Sequence, residues 1–251
     1  MSTTTRPPQF GEAYGYTEGQ AGVADVARSA DVIVPMIVKR FAPERVIDLG
    51  CGAGDWLRAF LRHGAREVHG YDGPWVPASS LRIPATAFTA IDFHAELPPA
   101  SRCDLAMSLE VAEHVDRPTA GKCVEFLCRA SDVVLFSAAI PGQGGHGHIN
   151  EQYQDRWIAL FASLGYEAFD LIRPSIWMDA RVSWWYQQNV LVFANRAAQA
   201  RFGLETQPFM ANVVHPALYE KNTDPRNYPI REIVKHLPHY VGSRLGLKRS
   251  T

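Results

Sequence analysis

The run Val46-Ile47-Asp48-Leu49-Gly50-Cys51-Gly52-Ala53-Gly54-Asp55-Trp56 constrains this chain more than any other stretch. It joins a short apolar strand containing one acid to a Gly-x-Gly-x-Gly turn. Glycine tolerates positive φ and lets a ligand approach the backbone. A strand, a tight glycine turn and a helix in that order make a seat for a nucleotide-sized ligand. Asp55 to Leu61 continues with its apolar residues at helical spacing. The turn alone is a weak sign, because an ordinary strand–helix turn can read the same way. Its spacing departs from the dinucleotide fingerprint G-x-G-x-x-G, and it lacks the Gly-Lys-Ser/Thr ending of a phosphate loop. Asp48, just ahead of the glycines, would repel a pyrophosphate and suit a cation or a ribose.

Later segments narrow the ligand. Glu67 to Asp72 reads as a second strand ending in an acid, and Asp72 follows Gly54 by 18 positions. That is near the offset of about 20 at which an acid reaches ribose hydroxyls in doubly wound sheets. A third strand, Ala87 to Ile91, ends at Asp92, which can accept a hydrogen bond from an adenine amino group or simply cap the strand. A fourth, Asp104 to Leu109, ends at Glu110; a fifth, Asp132 to Ser137, ends before Pro141-Gly142.

On the residues Asp48 to Gly54, Asp72, Asp92 and Glu110 to His114, positions 40–195 resemble the class I S-adenosylmethionine-dependent methyltransferases. The resemblance implies an α/β fold of the Rossmann-like kind. Its sheet would be doubly wound, mostly parallel and seven-stranded, with an antiparallel last strand. It implies that Gly50, Gly52 and Gly54 wrap the methionine part of the cofactor, that Asp72 holds the ribose and that Asp92 holds the adenine. Asp48 and Glu110 complete the expected cofactor set, with S-adenosylhomocysteine as the product.

Composition permits this. The 251 residues are 47% hydrophobic, as expected of a globular domain with appendages. A net charge of −1 supplies no basic footprint, so no nucleic-acid partner is expected. Cys51, Cys103, Cys123 and Cys128 form no C-x-x-C pair and read as reduced, mostly buried thiols. Residues 1–8 carry no apolar leader core and no run suffices to span a bilayer, so a cytoplasmic protein is expected.

Residues 1–20 read as an arm or lid, with Tyr14, Tyr16 and Gln20 placed to touch ligand. Ala21 to Phe41 reads as a helix that Pro35 kinks or splits. The core domain is expected over 21–195. It would close with Tyr166 to Ile172 and a last strand, Asn189 to Ala194. Residues 196–251 read as an extension packed on the core. From Glu220 onward it carries seven Lys/Arg against three acids. Sequence leaves the oligomeric state open.

A second constellation is Glu110-Val111-Ala112-Glu113-His114. If the segment is helical, its two acids and imidazole share one face at the ligand-binding end of the sheet. Such a set can hold a divalent cation. A third is the loop Pro141 to Tyr153, whose four glycines let it fold back and bring His146 and His148 to the same edge. Histidine can take a proton near neutral pH. The E-x-x-E-H set with a later histidine resembles the metal site of small-RNA terminal 2′-O-methyltransferases and of ubiquinone-pathway O-methyltransferases. Carried over, the ligands are Glu110, Glu113, His114 and His148, and the metal is Mg²⁺ or Mn²⁺. His148 is then ligand or base, with His146 the base if His148 is bound. A histidine merely hydrogen-bonded inside the fold, and a direct catalytic role without metal, remain the alternatives for this motif.

This chemistry suits an alcohol acceptor, which must lose a proton as it is methylated. Trp157, Trp177, Trp184, Trp185 and Tyr186 could face a sugar or belong to the core, and Trp177 to Arg181 mixes the groups a polyol site needs. The segment Phe136 to Gln152 is similar to bacterial methyltransferases of polysaccharide and natural-product pathways. The mycobacterial sugar 1-O-methyltransferases of methylmannose polysaccharide biosynthesis are among them. The expected substrate is therefore a sugar or oligosaccharide hydroxyl, a mannoside included. The alternatives are a small natural product or phenol, or an RNA-terminal 2′-hydroxyl.

Overall fold

A computed structural model describes residues 21–99, 101–224 and 226, with the backbone alone at 21–24. The expected lid residues Tyr14, Tyr16 and Gln20 lie outside the described residues.

Short apolar runs become the strands β1 (Arg45–Leu49), β2 (Glu67–Asp72), β3 (Phe88–Ala90), β4 (Leu105–Leu109), β5 (Val133–Ser137), β6 (Tyr166–Phe169) and β7 (Leu191–Asn195). They form one sheet in the order β3-β2-β1-β4-β5-β7-β6. β1 to β5 pair in parallel, and β7 runs antiparallel to both β5 and β6. The expected fold is therefore the observed one. The third strand is shorter than its apolar run suggested.

Alternation along each strand serves two cores. Val46, Leu105, Met107, Val133 and Leu135 face one cluster with α1 (Ala21–Phe41), α2 (Asp55–Arg62), α5 (Arg173–Ile176), α6 (Trp184–Asn189) and α7 (Arg196–Phe202). Ile47, Leu49, Ala106, Val134 and Phe136 face the other, with α3 (Arg117–Ala130) and α4 (Gln154–Ser163). Burial on both faces explains why the strands read as continuous apolar runs. α1 is continuous across Pro35, so the expected split does not occur. A proline inside a helix costs about 3 kcal/mol. Ile33, Val34 and Ile37 around it are fully buried, and each contributes roughly 1.5–3 kcal/mol.

Caps set the helix starts. Asp116 accepts from the Thr119 N–H (2.8 Å) to open α3, and Asn195 accepts from Ala198 (3.0 Å) to open α7. All four cysteines are free, and Cys51, Cys103 and Cys123 are buried.

The chain divides into two compact units, one ending at Val213 and one beginning at Val214. α7 thus falls in the first. In the second, α8 (Pro216–Thr223) is capped by His215, whose Nδ1 accepts from the Ala217 N–H (3.2 Å). Of the basic residues after Glu220, Lys221 and Arg226 are described, and Arg226 pairs with Asp224 (2.7 Å). No helix among the described residues is long and apolar enough to cross a membrane.

Candidate active site

The turn after β1 is held from below by β2. The Gly50 and Cys51 N–H groups donate to the Tyr71 carbonyl (2.7 and 3.1 Å), and the Gly52 N–H donates to Asp72 Oδ2 (2.7 Å). Gly50 and Gly54 need to be glycine for two reasons. Their φ values are 86° and 88°, and a Cβ at Gly50 would fall 2.3 Å from Val111, one at Gly54 3.0 Å from Ile83.

Asp72 ends β2 buried, with its second oxygen taking the Gly73 N–H (2.6 Å) and the Trp75 side chain also donating to it. Burial raises its carboxyl above the usual range, against the pull of these donors. Asp48, buried in β1, is pushed up further, first by burial and then by the charge of Asp72. Two close carboxylates at a strand edge make a negative seat. A cationic group and ribose hydroxyls fit it, and a phosphate does not. Asp92 stands apart: it is exposed, and its Oδ1 accepts from the His94 N–H (2.9 Å), the geometry of a strand-end cap.

The segment after β4 departs from expectation. It does not begin a helix at Glu110, which adopts φ 56°, an unusual value for a residue with a side chain. A 3₁₀ turn, Ala112–His114, follows. Glu110, Glu113 and His114 therefore do not share a helical face. The Glu110 carboxylate is turned to a cluster of amides, accepting from Gln143 Nε2 (2.8 Å) and Asn189 Nδ2 (3.1 Å). Gln188 and Gln154 extend the cluster through the Asn189 side chain (3.0 and 3.4 Å). Burial raises the Glu110 carboxyl, and the Asn189 and Gln143 amides oppose it.

The structure brings together three of the four expected ligands. Glu113, His114 and His148 each offer a donor atom, all within 4.8 Å of one another. Glu110 stands outside this trio, because its oxygens are taken by the amides. Glu113 is fully buried, and no well-formed hydrogen bond reaches either of its oxygens. Its carboxyl is held well above the usual range by burial and then by the Glu110 charge. His114 meets the His148 ring edge-on, with centroids 4.7 Å apart. Burial, followed by the His148 charge, lowers the His114 imidazole to about 4, so it is neutral at pH 7.

His148 is aimed by Glu151, which sequence reasoning had not singled out. The Glu151 carboxylate accepts from the Gly142 and Gly144 N–H groups (2.8 and 2.7 Å) and lies 2.9 Å from His148 Nδ1. A carboxylate only accepts, so Nδ1 carries the proton and Nε2 presents its lone pair. Its position three residues after His148, in a glycine-rich loop, was the available signal. For the amide cluster the signal was weaker: Gln187-Gln188-Asn189 stands unusually polar just ahead of an apolar strand. His146 is exposed on the same loop.

Other expected residues lie elsewhere. Arg181 is exposed and engaged with Asp179 (2.6 Å), which leaves its guanidinium committed. Trp177 is half-buried just after α5. Trp157 and Tyr186 are core residues, with Tyr186 edge-on to Trp56 at 5.1 Å.

Residues 27–131 match the sequence profile of a family described as a methyltransferase domain. This stretch is a class I methyltransferase domain. The ubiquinone biosynthesis O-methyltransferase of Rhodopseudomonas palustris (strain BisB5) is 34% identical to the chain over 90 residues, 33% of this chain and 35% of that enzyme. The chain thus matches about a third of that curated relative's length. Among solved structures, the sugar N-methyltransferase KedS8 from Streptoalloteichus sp ATCC 53650 superposes with a TM-score of 0.58 at 16% identity, over 78% of this chain and 98% of that one. The magnesium protoporphyrin IX methyltransferase of Synechocystis PCC 6803, solved with S-adenosylhomocysteine bound, gives 0.53 at 18% identity over 72% and 90%. These likenesses fix the fold of the methyltransferase domain. The trio of Glu113, His114 and His148 stands at the edge where that fold binds its ligands.

Proposed function

We propose that the chain is an S-adenosylmethionine-dependent O-methyltransferase acting on a sugar or oligosaccharide hydroxyl. The observation that carries this reading is the trio Glu113–His114–His148, whose buried carboxylate receives no well-formed hydrogen bond while His114 is neutral and His148 is aimed by Glu151. Buried carboxylate oxygens without a well-formed hydrogen bond, beside two imidazoles, fit a divalent cation. One carboxylate and two histidines favour Mn²⁺ over Mg²⁺. When bound, such an ion acidifies and orients an acceptor hydroxyl.

The chain's own residues supply the rest. Asp48 and Asp72 hold the cationic and ribose parts of S-adenosylmethionine against Gly50, Gly52 and Gly54, and Asp92 reaches its adenine. Glu113, His114 and His148 would hold the cation, and Glu151 keeps the His148 tautomer. His146, exposed on the loop, accepts the hydroxyl proton. The methyl group passes from sulfur to oxygen: the C–S bond breaks, the C–O bond forms, and the electron pair stays on sulfur as S-adenosylhomocysteine is released. Positioning supplies much of the rate.

The sugar rests on the loop's similarity to polysaccharide-pathway enzymes. A phenolic acceptor is the second reading. It is favoured by the ubiquinone-pathway relative and by Ile149, 68% exposed beside His148. Transfer of labelled methyl to a panel of saccharides and phenols, with and without chelator, tests both. Chelator-sensitive transfer to saccharides is expected, with Mn²⁺ restoring it. Activity indifferent to chelator would remove the cation from the mechanism, and transfer to phenols alone would remove the sugar.

A further inference from the structure

A cavity of about 310 Å³ opens between the start of α3 and the side of α4, lined by Arg117, Asn150, Gln152, Arg156, Trp157 and Leu160. It is separate from the glycine turn and from the trio, and no step above uses it. Its lining is chemically one-sided. Among the described residues, neither Arg117 nor Arg156 has a carboxylate partner. The nearest tie is a long contact from Arg117 Nη2 to Gln152 Oε1 (3.5 Å). Some exposed arginines of this domain are neutralised by acids, as Arg102 is by Asp132 (2.7 Å) and Arg181 by Asp179 (2.6 Å); the pair here is not. Trp157 is 5% exposed, and its buried indole Nε1–H has no acceptor. A donor left without a partner in a buried position costs about 1–3 kcal/mol, so a missing acceptor is the economical explanation. Leu160 and the indole supply an apolar wall.

We propose that this cavity is an oxyanion site, for a phosphate or carboxylate borne on a group with an apolar or flat portion. Two guanidiniums, the Gln152 side-chain amide and the indole N–H offer the donors, and planar guanidiniums match such oxyanions in geometry. The site is joined to the methyl-transfer edge by the segment between them. The Asn150 N–H donates to the Glu113 carbonyl (3.0 Å) and its side chain to the Ala112 carbonyl (3.1 Å). The Gln152 N–H donates to the Ala139 carbonyl (3.1 Å), and its side chain donates to Asn150 Oδ1 (3.0 Å). An anion held by Gln152 and Arg156 thus grips the far end of the loop that carries His148. The anion can arrive as a substituent of the acceptor or as a free ion, and both present the same chemistry to the arginines.

Calorimetric titration of the full chain with inorganic phosphate, phenyl phosphate and glucose 1-phosphate tests the proposal at fixed ionic strength, with phenol and glucose as neutral controls. It needs no knowledge of the acceptor and no turnover, so its outcome is independent of the proposed methyl transfer. Saturable 1:1 binding of at least one phosphate and none of the neutral controls is expected. Arg117→Gln and Arg156→Gln should each weaken it about tenfold, in line with loss of a charge-assisted hydrogen bond. Trp157→Phe, which removes the indole N–H and shrinks the ring, should weaken it severalfold. The arginines are exposed, so their variants should fold even if Trp157→Phe does not. Phenyl or sugar phosphate binding about tenfold tighter than inorganic phosphate places the anion on a larger ligand; equal affinities make it a free ion. No saturable binding, or binding that both arginine variants leave unchanged, overturns the site.

Discussion

Asp72 and Glu113 are both buried carboxylates at the same edge of the sheet, and the protein treats them in opposite ways. Asp72 has its oxygens filled by the Gly52 and Gly73 N–H groups at 2.7 and 2.6 Å. Glu113 is more deeply buried and receives no well-formed hydrogen bond at either oxygen. The first is complete without a ligand and helps to fold the turn it belongs to. The second is incomplete, since an unpaired buried charge is among the costliest arrangements a fold can hold. On the proposed reading, the cofactor side is architecture that also binds, and the acceptor side is left open for a cation.

That contrast breaks most sharply at Glu113. Glu113→Gln removes the buried charge and keeps the shape. Chelator-sensitive turnover should fall at least about a thousandfold, about 4 kcal/mol of transition-state stabilisation. The melting temperature of metal-free protein should nonetheless rise, because the uncompensated charge is gone. A metal-free variant that melts lower would mean that Glu113 is already satisfied and the comparison fails. Asp72→Ala should behave in the opposite way. It strands two N–H groups, so it should cost about 2–3 kcal/mol of stability as well as roughly a hundredfold in S-adenosylhomocysteine affinity. Calorimetry and thermal melting read both.

The two edges also differ in how far sequence discloses them. The strand, turn and helix from Val46 to Trp56 lie in one continuous run, and local conformation decides them, so they are legible there. The sheet order follows from apolar runs separated by helical stretches. The acceptor edge depends on residues far apart. Glu110 was expected among the ligands because a helix was expected after β4; a residue with a side chain at φ 56° has no sequence signature. The amides that take its carboxylate come from Gln143 and Asn189, and Gln154 and Gln188 support them. Nothing short of the folded sheet brings those four together. Arg181 looked like a substrate contact because its acid neighbour, Asp179, was read as a second ligand group and not as its partner.

His114 gives the next largest effect, a pH dependence whose sign is fixed by burial. Its imidazole is lowered to about 4 in the fold, against an ordinary value of 6.5. As the medium is acidified through 6.5, the unfolded chain takes up this proton first. Stability is thus intact above about pH 6.5 and is lost progressively down to about pH 4, by about 2–3 kcal/mol for this one group. The raised carboxyls of Glu110 and Glu113 act in the other direction, since the fold binds their protons more readily. The difference between wild type and His114→Asn isolates the histidine. In chelator-treated protein, the variant's urea midpoint should change less between pH 7 and pH 4.5. Parallel curves would show that His114 is not held neutral by its surroundings.

The smallest expected effect is at Glu151, and it separates aiming from building. Glu151 holds the Gly142 and Gly144 N–H groups and His148 Nδ1. Glu151→Gln keeps one acceptor oxygen where the carboxylate used two, so it can hold one of the two glycine N–H groups and should lose only part of the loop's support. It loses the charge that fixes His148 with its proton on Nδ1, and partners of this kind typically alter metal affinity by 10–100-fold. Because His148 would be one ligand of three, the lower end is expected: Mn²⁺ affinity about tenfold weaker, with the melting temperature of metal-free protein lowered by no more than about 4 °C. Glu151→Ala, which strands both glycine N–H groups, should lose more stability than Glu151→Gln. If both variants lost stability equally and bound Mn²⁺ alike, Glu151 would be a loop staple alone, and the acceptor edge would have no built-in device for orienting His148.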